Sequence, residues 1–267
     1  MNVLEETKYI MKKYNVYPNK KLGQNFLFDE EALQTIAQNA GKEDTIIEIG
    51  PGLGTLTSIL AEKAKKVIAI ELDKKMIEIL NDRFKLYNNV EIINDDILHV
   101  DIDKIAPNAK IIANLPYYIT TSIITKLLKT NIKDITILIQ KEVAERICAK
   151  PGSKKAGAIT YFVNYYSEPE IIANVSKQSF IPSPEVESSI VRLKIRDKKA
   201  VEVKNEEMFF EIIRNNFNQR RKTLLNSLSG IIDKEKMKNI LKELNLDENV
   251  RGENLTLEQY AQIANKL

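Results

Sequence analysis

The sequence predicts an α/β fold: a mostly parallel sheet with one antiparallel edge strand, followed by a small helical domain at the C-terminal end. Three observations predict it. Through the first two-thirds of the chain, short apolar runs alternate with helix-like segments of about 10–15 residues, the pattern of βαβ units. Two late apolar runs, 168–176 and 188–195, follow each other without a helical segment between them, as a hairpin that adds an antiparallel edge strand would. From about residue 200 the strand signal stops and apolar residues recur at helical spacing.

Taken in order, "DTIIEIG" (44–50) is the first strand and "GTLTSILAEKAKK" (54–66) the helix after it. "VIAIELD" (67–73) is a second strand, followed by the helix "KKMIEILNDRFKLY" (74–87). "VEIINDDIL" (90–98) is a third strand and "AKIIANLPY" (109–117) a fourth, with "TSIITKLLKT" (121–130) as its helix. "DITILIQ" (134–140) is a fifth strand, leading into the helix "KEVAERICAK" (141–150). After the charged stretch 196–207, four segments have helical periodicity: 207–217, 219–230, 233–245 and 256–267. Thr256 and Gln259 form a capping box for the last one. The expected domains are 1–198 and 199–267.

Composition narrows the function. With 267 residues, 43% hydrophobic and 29% charged, the chain has an ordinary globular make-up. No run of about 18 apolar residues exists, so no membrane helix is expected, and the first 15 residues lack the apolar segment of a secretory signal. Cys148 is the only cysteine and His99 the only histidine. A disulfide framework and a Cys/His metal site are therefore excluded, as are most Ser-His and Cys-His catalytic designs. A cytoplasmic, metal-free protein with no membrane partner is expected. Net charge is +3. Residues 192–267 carry 16 basic and 12 acidic side chains, against 24 and 25 in 1–191. The basic excess lies in the C-terminal part, where Arg220, Arg221 and Lys222 are consecutive; Lys20 and Lys21 form a second cluster.

Three strand ends carry the chemistry. "EIGPGLGTLT" (48–57) follows the first strand and opens a helix, with Gly50, Gly52 and Gly54 spaced G-x-G-x-G. Glycines there let backbone approach a ligand at a helix N-terminus. A dinucleotide fingerprint has its third glycine one place later, where Thr55 stands, which counts against a nicotinamide cofactor. Glu71 ends the second strand, about 20 residues on, where a carboxylate suits ribose hydroxyls. Asp96, beside Asp95, ends the third strand and suits an adenine amino group. Together these residues point to a nucleoside-bearing cofactor. Two such cofactors compete: NAD, which would need a hydride partner such as a histidine, lysine or tyrosine, and S-adenosylmethionine, which has no pyrophosphate, tolerates the G-x-G-x-G loop and needs only a positioned nucleophile.

The fourth strand stops on Asn114, Leu115, Pro116 and Tyr117. A proline there favours a turn and extends the residue before it. The four residues also suit an adenine amine as nucleophile. Its lone pair is delocalised into the ring, so it attacks poorly. Two acceptors on its N–H groups, the Asn114 side-chain carbonyl and the Leu115 backbone carbonyl, favour a tetrahedral nitrogen. Pro116 has no N–H to compete. Tyr117 offers a ring for the base to stack on, and the base must be unpaired to reach it.

On these segments the sequence resembles the ribosomal RNA adenine N6,N6-dimethyltransferases (dimethyladenosine transferases), in particular their bacterial small-subunit type. "KKLGQNFLFD" (20–29), "IEIGPGLGTLT" (47–57), "AIELD" (69–73), "NDDIL" (94–98), "NLPYYIT" (114–120), "FIPSPEVESSIVRL" (180–193) and "FNQRRKTLLNSL" (217–228) carry the resemblance, in order along most of the chain. It implies a Rossmann-like class I methyltransferase sheet and S-adenosyl-L-methionine as cofactor. The implied reaction is dimethylation of two adjacent adenines in a loop near the 3′ end of 16S rRNA, within a small subunit or its precursor. A role in subunit biogenesis and a monomeric state are also implied. The resemblance places Asn25, Leu27, Gly50, Glu71, Asp96 and Asn114 at the cofactor, with Gly52 in the same loop. It places Tyr117 against the target base, Phe180 over the base's other face, and Arg220, Arg221, Lys222, Lys20 and Lys21 near RNA. A sister family acting on large-subunit rRNA usually has isoleucine at the position of Leu115; that residue and 217–228 favour the small-subunit type. A non-catalytic assembly factor would not need the intact motif 114–117.

Overall fold

The computed structural model describes every residue except Lys20 and Lys21, so the expectation that this pair approaches RNA lies outside the described residues. The chain forms two compact units: Met1–Ala144 with Glu170–Ile195, and Glu145–Pro169 with Arg196–Leu267.

Nine strands are described: β1 (Phe26–Leu27), β2 (Thr45–Ile49), β3 (Lys66–Glu71), β4 (Val90–Asn94), β5 (Ala109–Asn114), β6 (Ile132–Gln140), β7 (Ser167–Val175), β8 (Phe180–Ile181) and β9 (Ser188–Ile195). Seven form one sheet in the order β4-β3-β2-β5-β6-β9-β7. β4 through β6 pair in parallel, and β9 runs antiparallel to β6, from Asp134↔Lys194 to Gln140↔Ser188. The antiparallel pairing thus falls at one end of the sheet, with β7 outermost. β1 and β8 make a separate two-stranded antiparallel ribbon.

The physical reason for the parallel sheet is visible in the burial of its strands. β2, β3, β5 and most of β6 are apolar runs buried along nearly their whole length, as strands covered on both faces must be. Helices Thr55–Lys63, Lys74–Phe84 and Thr120–Leu127 supply that cover, packing residues such as Leu60, Ile79 and Ile123 inward. The strand order reverses between β2 and β5, which opens a crevice at their C-terminal ends. Helix Val3–Lys13, closed by an Asn2–Glu5 capping box, lies in the same unit; Glu6 pairs with Arg83 there.

In the second unit, helix Ala158–Tyr166 was not among the expected elements. Its buried Tyr161 and Tyr165 make ring contacts with Phe217 and Tyr260, and with Phe209 and Phe210, respectively. Helices Glu206–Asn218, Lys234–Glu243 and Leu257–Lys266 follow the expected periodicity, and Thr256 with Gln259 closes the last by a reciprocal capping box. Residues 219–230 differ from the expected helix: only Leu224–Ser227 is helical. Side-chain capping decides this. The Thr223 hydroxyl accepts from the Asn226 N–H, restarting the helix, and buried Asn216 bridges Tyr260 and Ser227. Arg220, Arg221 and Lys222 therefore sit on a turn rather than a helix face.

Candidate active site

A cavity opens at the C-terminal ends of β2, β3 and β5, in the first unit, and the glycine loop forms its base. Gly50, Gly52 and Gly54 have φ of 65°, 56° and 82°, a left-handed backbone that glycine adopts without strain. The space is as restrictive as the dihedrals. A Cβ on Gly54 would lie 2.6 Å from the Phe84 ring, and one on Gly52 would lie 3.2 Å from the ring of Phe26, which itself lines the cavity. Gly54 caps helix Thr55–Lys63, so the helix starts where the loop ends.

Glu71, the last residue of β3, is 6% exposed. Its carboxylate accepts from the Gly52 N–H at 3.1 Å and the Asp73 N–H at 2.9 Å. Burial raises its pKa, and these two backbone donors pull it back toward the charged form. A held carboxylate beside the bare backbone of Gly50 and Gly52 fits the ribose of a nucleoside cofactor. Asp96 accepts from the Leu98 N–H at 2.9 Å, and both Asp95 and Asp96 line the cavity beyond β4.

Asn114 ends β5 at the cavity wall. Its side-chain amide donates to the Asn25 carbonyl at 3.3 Å, which leaves the side-chain oxygen as an acceptor. The Leu115 N–H donates to the Leu138 carbonyl at 3.1 Å, so the peptide that follows is anchored to β6. Pro116 has φ −64° and its carbonyl accepts from the Thr120 hydroxyl at 3.1 Å. Tyr117 lines the cavity, and its hydroxyl shares a 2.5 Å hydrogen bond with Ser188 of β9. Burial raises the tyrosine pKa and the Ser188 bond opposes it.

The cavity thus gathers Asn25, Leu27, Gly50, Gly52, Glu71, Asp96 and residues 114–117 from segments up to 92 positions apart. Phe180 is placed elsewhere. It is 3% exposed, pairs with Leu27 across the β1–β8 ribbon, packs in the core with Leu33 and Ile190, and does not appear among the described residues lining the cavity. Arg220, Arg221 and Lys222 belong to the second unit.

Sequence reasoning missed Glu48, Gln24 and Ser188. Glu48, the penultimate residue of β2, is 1% exposed, lines the cavity and accepts from the Thr57 hydroxyl at 2.6 Å. Burial pushes its pKa up to about 8, with the charge of Glu71 adding to the rise and the Thr57 bond and Arg83 opposing it. The signal was available, since a lone charge interrupts an apolar strand. The Gln24 side chain donates to Asp73 at 2.9 Å, tying the segment before β1 to the loop after β3. Ser188 had no signal: it meets Tyr117 from 71 residues away.

The sheet keeps both acidic strand ends of a nucleoside site yet has Thr55 where a pyrophosphate-binding loop needs glycine. With an antiparallel pair, β6 and β9, next to the outermost strand of a seven-stranded sheet, the combination defines a Rossmann-like class I methyltransferase, dependent on S-adenosylmethionine. The family described as Ribosomal RNA adenine dimethylase matches residues 16–267, and the chain belongs to that family. It is 46% identical over 276 residues to the Ribosomal RNA small subunit methyltransferase A of Alkaliphilus oremlandii, covering 98% of this chain and 96% of the relative. It is 48% identical over 266 residues to the protein of that name from Clostridium botulinum (strain Kyoto / Type A2), with 97% of each covered. Among solved structures, a dimethyladenosine transferase from Plasmodium falciparum superposes with a TM-score of 0.75 at 28% identity, over 89% of this chain and 95% of that one. The 23S rRNA methyltransferase ErmE superposes with a TM-score of 0.72 at 24% identity, over 91% and 99%, a likeness of fold.

Proposed function

We propose that this protein transfers methyl groups from S-adenosyl-L-methionine to the exocyclic N6 of two adjacent adenines near the 3′ end of 16S rRNA, dimethylating each. It does so in the cytoplasm, as a monomer, on a small ribosomal subunit or its precursor, and contributes to subunit biogenesis. The small-subunit names of the full-length relatives favour this substrate over large-subunit rRNA. The observation that carries the chemistry is Asn114, held by its amide to the Asn25 carbonyl beside the glycine loop.

When bound, S-adenosylmethionine supplies an electrophilic methyl group on a sulfonium. The chain's residues do the rest. Glu71 orients hydroxyl groups through a carboxylate fixed by two backbone donors. Asp96 takes an amino group at the neighbouring strand end. Asn25 and Leu27 contribute to the cavity wall on either side of Phe26, whose ring packs against Gly52. The Asn114 side-chain oxygen and the Leu115 carbonyl accept from the two N–H groups of the target amine, which frees its lone pair. As that nitrogen gains positive charge, the two acceptors stabilise it more than the neutral amine, so they act mainly in the transition state. Tyr117 stacks on the flipped base. Phe180 acts from behind, holding Leu27 in the β1–β8 ribbon. Residues 199–267 serve as the helical RNA-binding domain, through Arg221 and Lys222 in particular.

The test is to incubate the protein with radiolabelled S-adenosylmethionine and either unmethylated small subunits or large-subunit rRNA, then digest to nucleosides. Label in dimethyladenosine from the small subunit alone is the expected result. Label from large-subunit RNA assigns a different substrate. Absence of label with retained subunit binding leaves an assembly factor without catalysis.

A further inference from the structure

Helix Val3–Lys13 and the glycine loop meet at one side chain. Arg83 stands in the last turn of helix Lys74–Phe84, and its side chain is only 14% exposed. One guanidinium nitrogen, Nη1, donates to the Leu53 carbonyl, inside the glycine loop. The other, Nη2, donates to Glu6 of helix Val3–Lys13 at 2.5 Å and to the Ser58 hydroxyl at 3.4 Å. The Ser58 hydroxyl in turn donates to the Gly54 carbonyl at 3.0 Å. Two successive carbonyls of the loop are thus held, Leu53 directly and Gly54 through Ser58, by a cation that Glu6 anchors. The neighbouring Asp82 gives the helix a second anchor: it accepts from the Tyr14 hydroxyl and pairs with Lys13 at 3.1 Å.

The apolar side of the loop is held by the same two helices. Leu53 is 1% exposed and packs in one cluster with Ile10, Val16, Phe26, Met76 and Ile79. Leu53 also lines the cavity, between Gly52 and Gly54. Three glycines at positive φ leave a loop with many backbone states when nothing holds it. Ordering such a loop on binding costs affinity, and contacts that order it beforehand remove that cost. The two nitrogens of the guanidinium face different partners, a task that the single ammonium of lysine cannot share out in the same way.

We propose that Arg83 is a positioning residue for the cofactor, and that helix Val3–Lys13, through Glu6, belongs to the cofactor-binding machinery. Arg83 does not appear among the described residues lining the cavity; it acts through the Leu53 and Gly54 carbonyls. The inference rests on the reading of the crevice as the S-adenosylmethionine site, and it extends that site to a helix about 40 residues before the glycine loop.

Calorimetric titration of the full chain with S-adenosyl-L-methionine, well below the melting midpoint, tests it. R83K keeps the charge and loses the fork. It is expected to weaken cofactor binding on the order of tenfold, the scale of one hydrogen bond from a charged group. E6A, which puts a good helix former at a partly exposed helix position, is expected to weaken it less. E6A/R83K is expected to bind no worse than R83K, because both changes cut one tie. In methyl transfer the loss is expected in KM for the cofactor, with kcat at saturating cofactor near wild type. Without cofactor, the amides of residues 52–58 are expected to exchange hydrogen faster in both single variants. Wild-type affinity in folded R83K overturns the proposal, also where its melting midpoint has fallen, since the role is then structural alone. A weakened R83K beside a wild-type E6A overturns the part given to the helix. A wild-type protein that does not bind S-adenosylmethionine overturns the reading of the crevice and this inference with it.

Discussion

At the scale of single residues, Asn114 carries the proposed chemistry and Glu48 the pH dependence of stability. Asn114 offers one acceptor in a fixed direction because its amide is committed to the Asn25 carbonyl. Asn114→Ala is expected to leave the melting midpoint close to wild type and lower kcat by about 2–4 kcal/mol of transition-state stabilisation, the scale of one preorganised polar group. Single-turnover methyl transfer on small subunits measures it, and an unchanged rate would end the acceptor-cage mechanism. Glu48 governs a different quantity. Its carboxyl has an ordinary value of 4.5, and burial pushes it up to about 8 in the folded chain. The folded state therefore holds the extra proton through that window, and unfolding releases it. The contribution to stability is fully present below about pH 4.5 and is lost as pH rises through about 8. Its slope is at most about 1.4 kcal/mol per pH unit. Glu48→Gln, which cannot ionise, is expected to flatten this decline in thermal unfolding between pH 5 and 8, on the assay's own axis. A variant with the wild-type pH profile would place the titration on another group.

At the scale of elements, the glycine loop matters as a joint. Gly54 starts helix Thr55–Lys63 at φ 82°, and the Phe84 ring occupies the space a side chain would take. Helix Lys74–Phe84 packs there because the loop presents bare backbone to it. Gly54→Ala combines left-handed strain with overpacking and is expected to cost about 3 kcal/mol. Denaturant unfolding would show it as a lower midpoint with an unchanged slope. Elements were legible in sequence to different degrees. β2, β3, β5 and β6 are near-continuous apolar runs, and such runs bounded by turn residues declare themselves. The β1–β8 ribbon did not, because two-residue strands have no period to read. Nor did the break at 219–223, where a Thr223 cap and the buried Asn216 network override a helical pattern.

At the scale of the whole molecule, the crevice forms only when β2 and β5 become neighbours and the strand order reverses between them. Cofactor binding draws on that assembled state, so it stabilises the fold by mass action. S-adenosylmethionine at a hundredfold its Kd is expected to add about 2.7 kcal/mol, read by thermal unfolding as a concentration-dependent rise. Glu71→Ala should abolish the rise, and a rise that survives would move the nucleoside contact away from β3. The sequence by itself determined the alternation that builds the sheet, the glycine loop with its acidic strand ends, and the motif 114–117. Each is written in consecutive residues, where periodicity, backbone freedom and side-chain chemistry act locally. Only the tertiary structure decided that Tyr117 meets Ser188, that Phe180 packs in the core, that Glu48 is buried enough to hold its proton, and that Arg220 is engaged by the loop at 150–156. Those outcomes depend on distance, burial and competing partners, which chain neighbours do not fix and packing does.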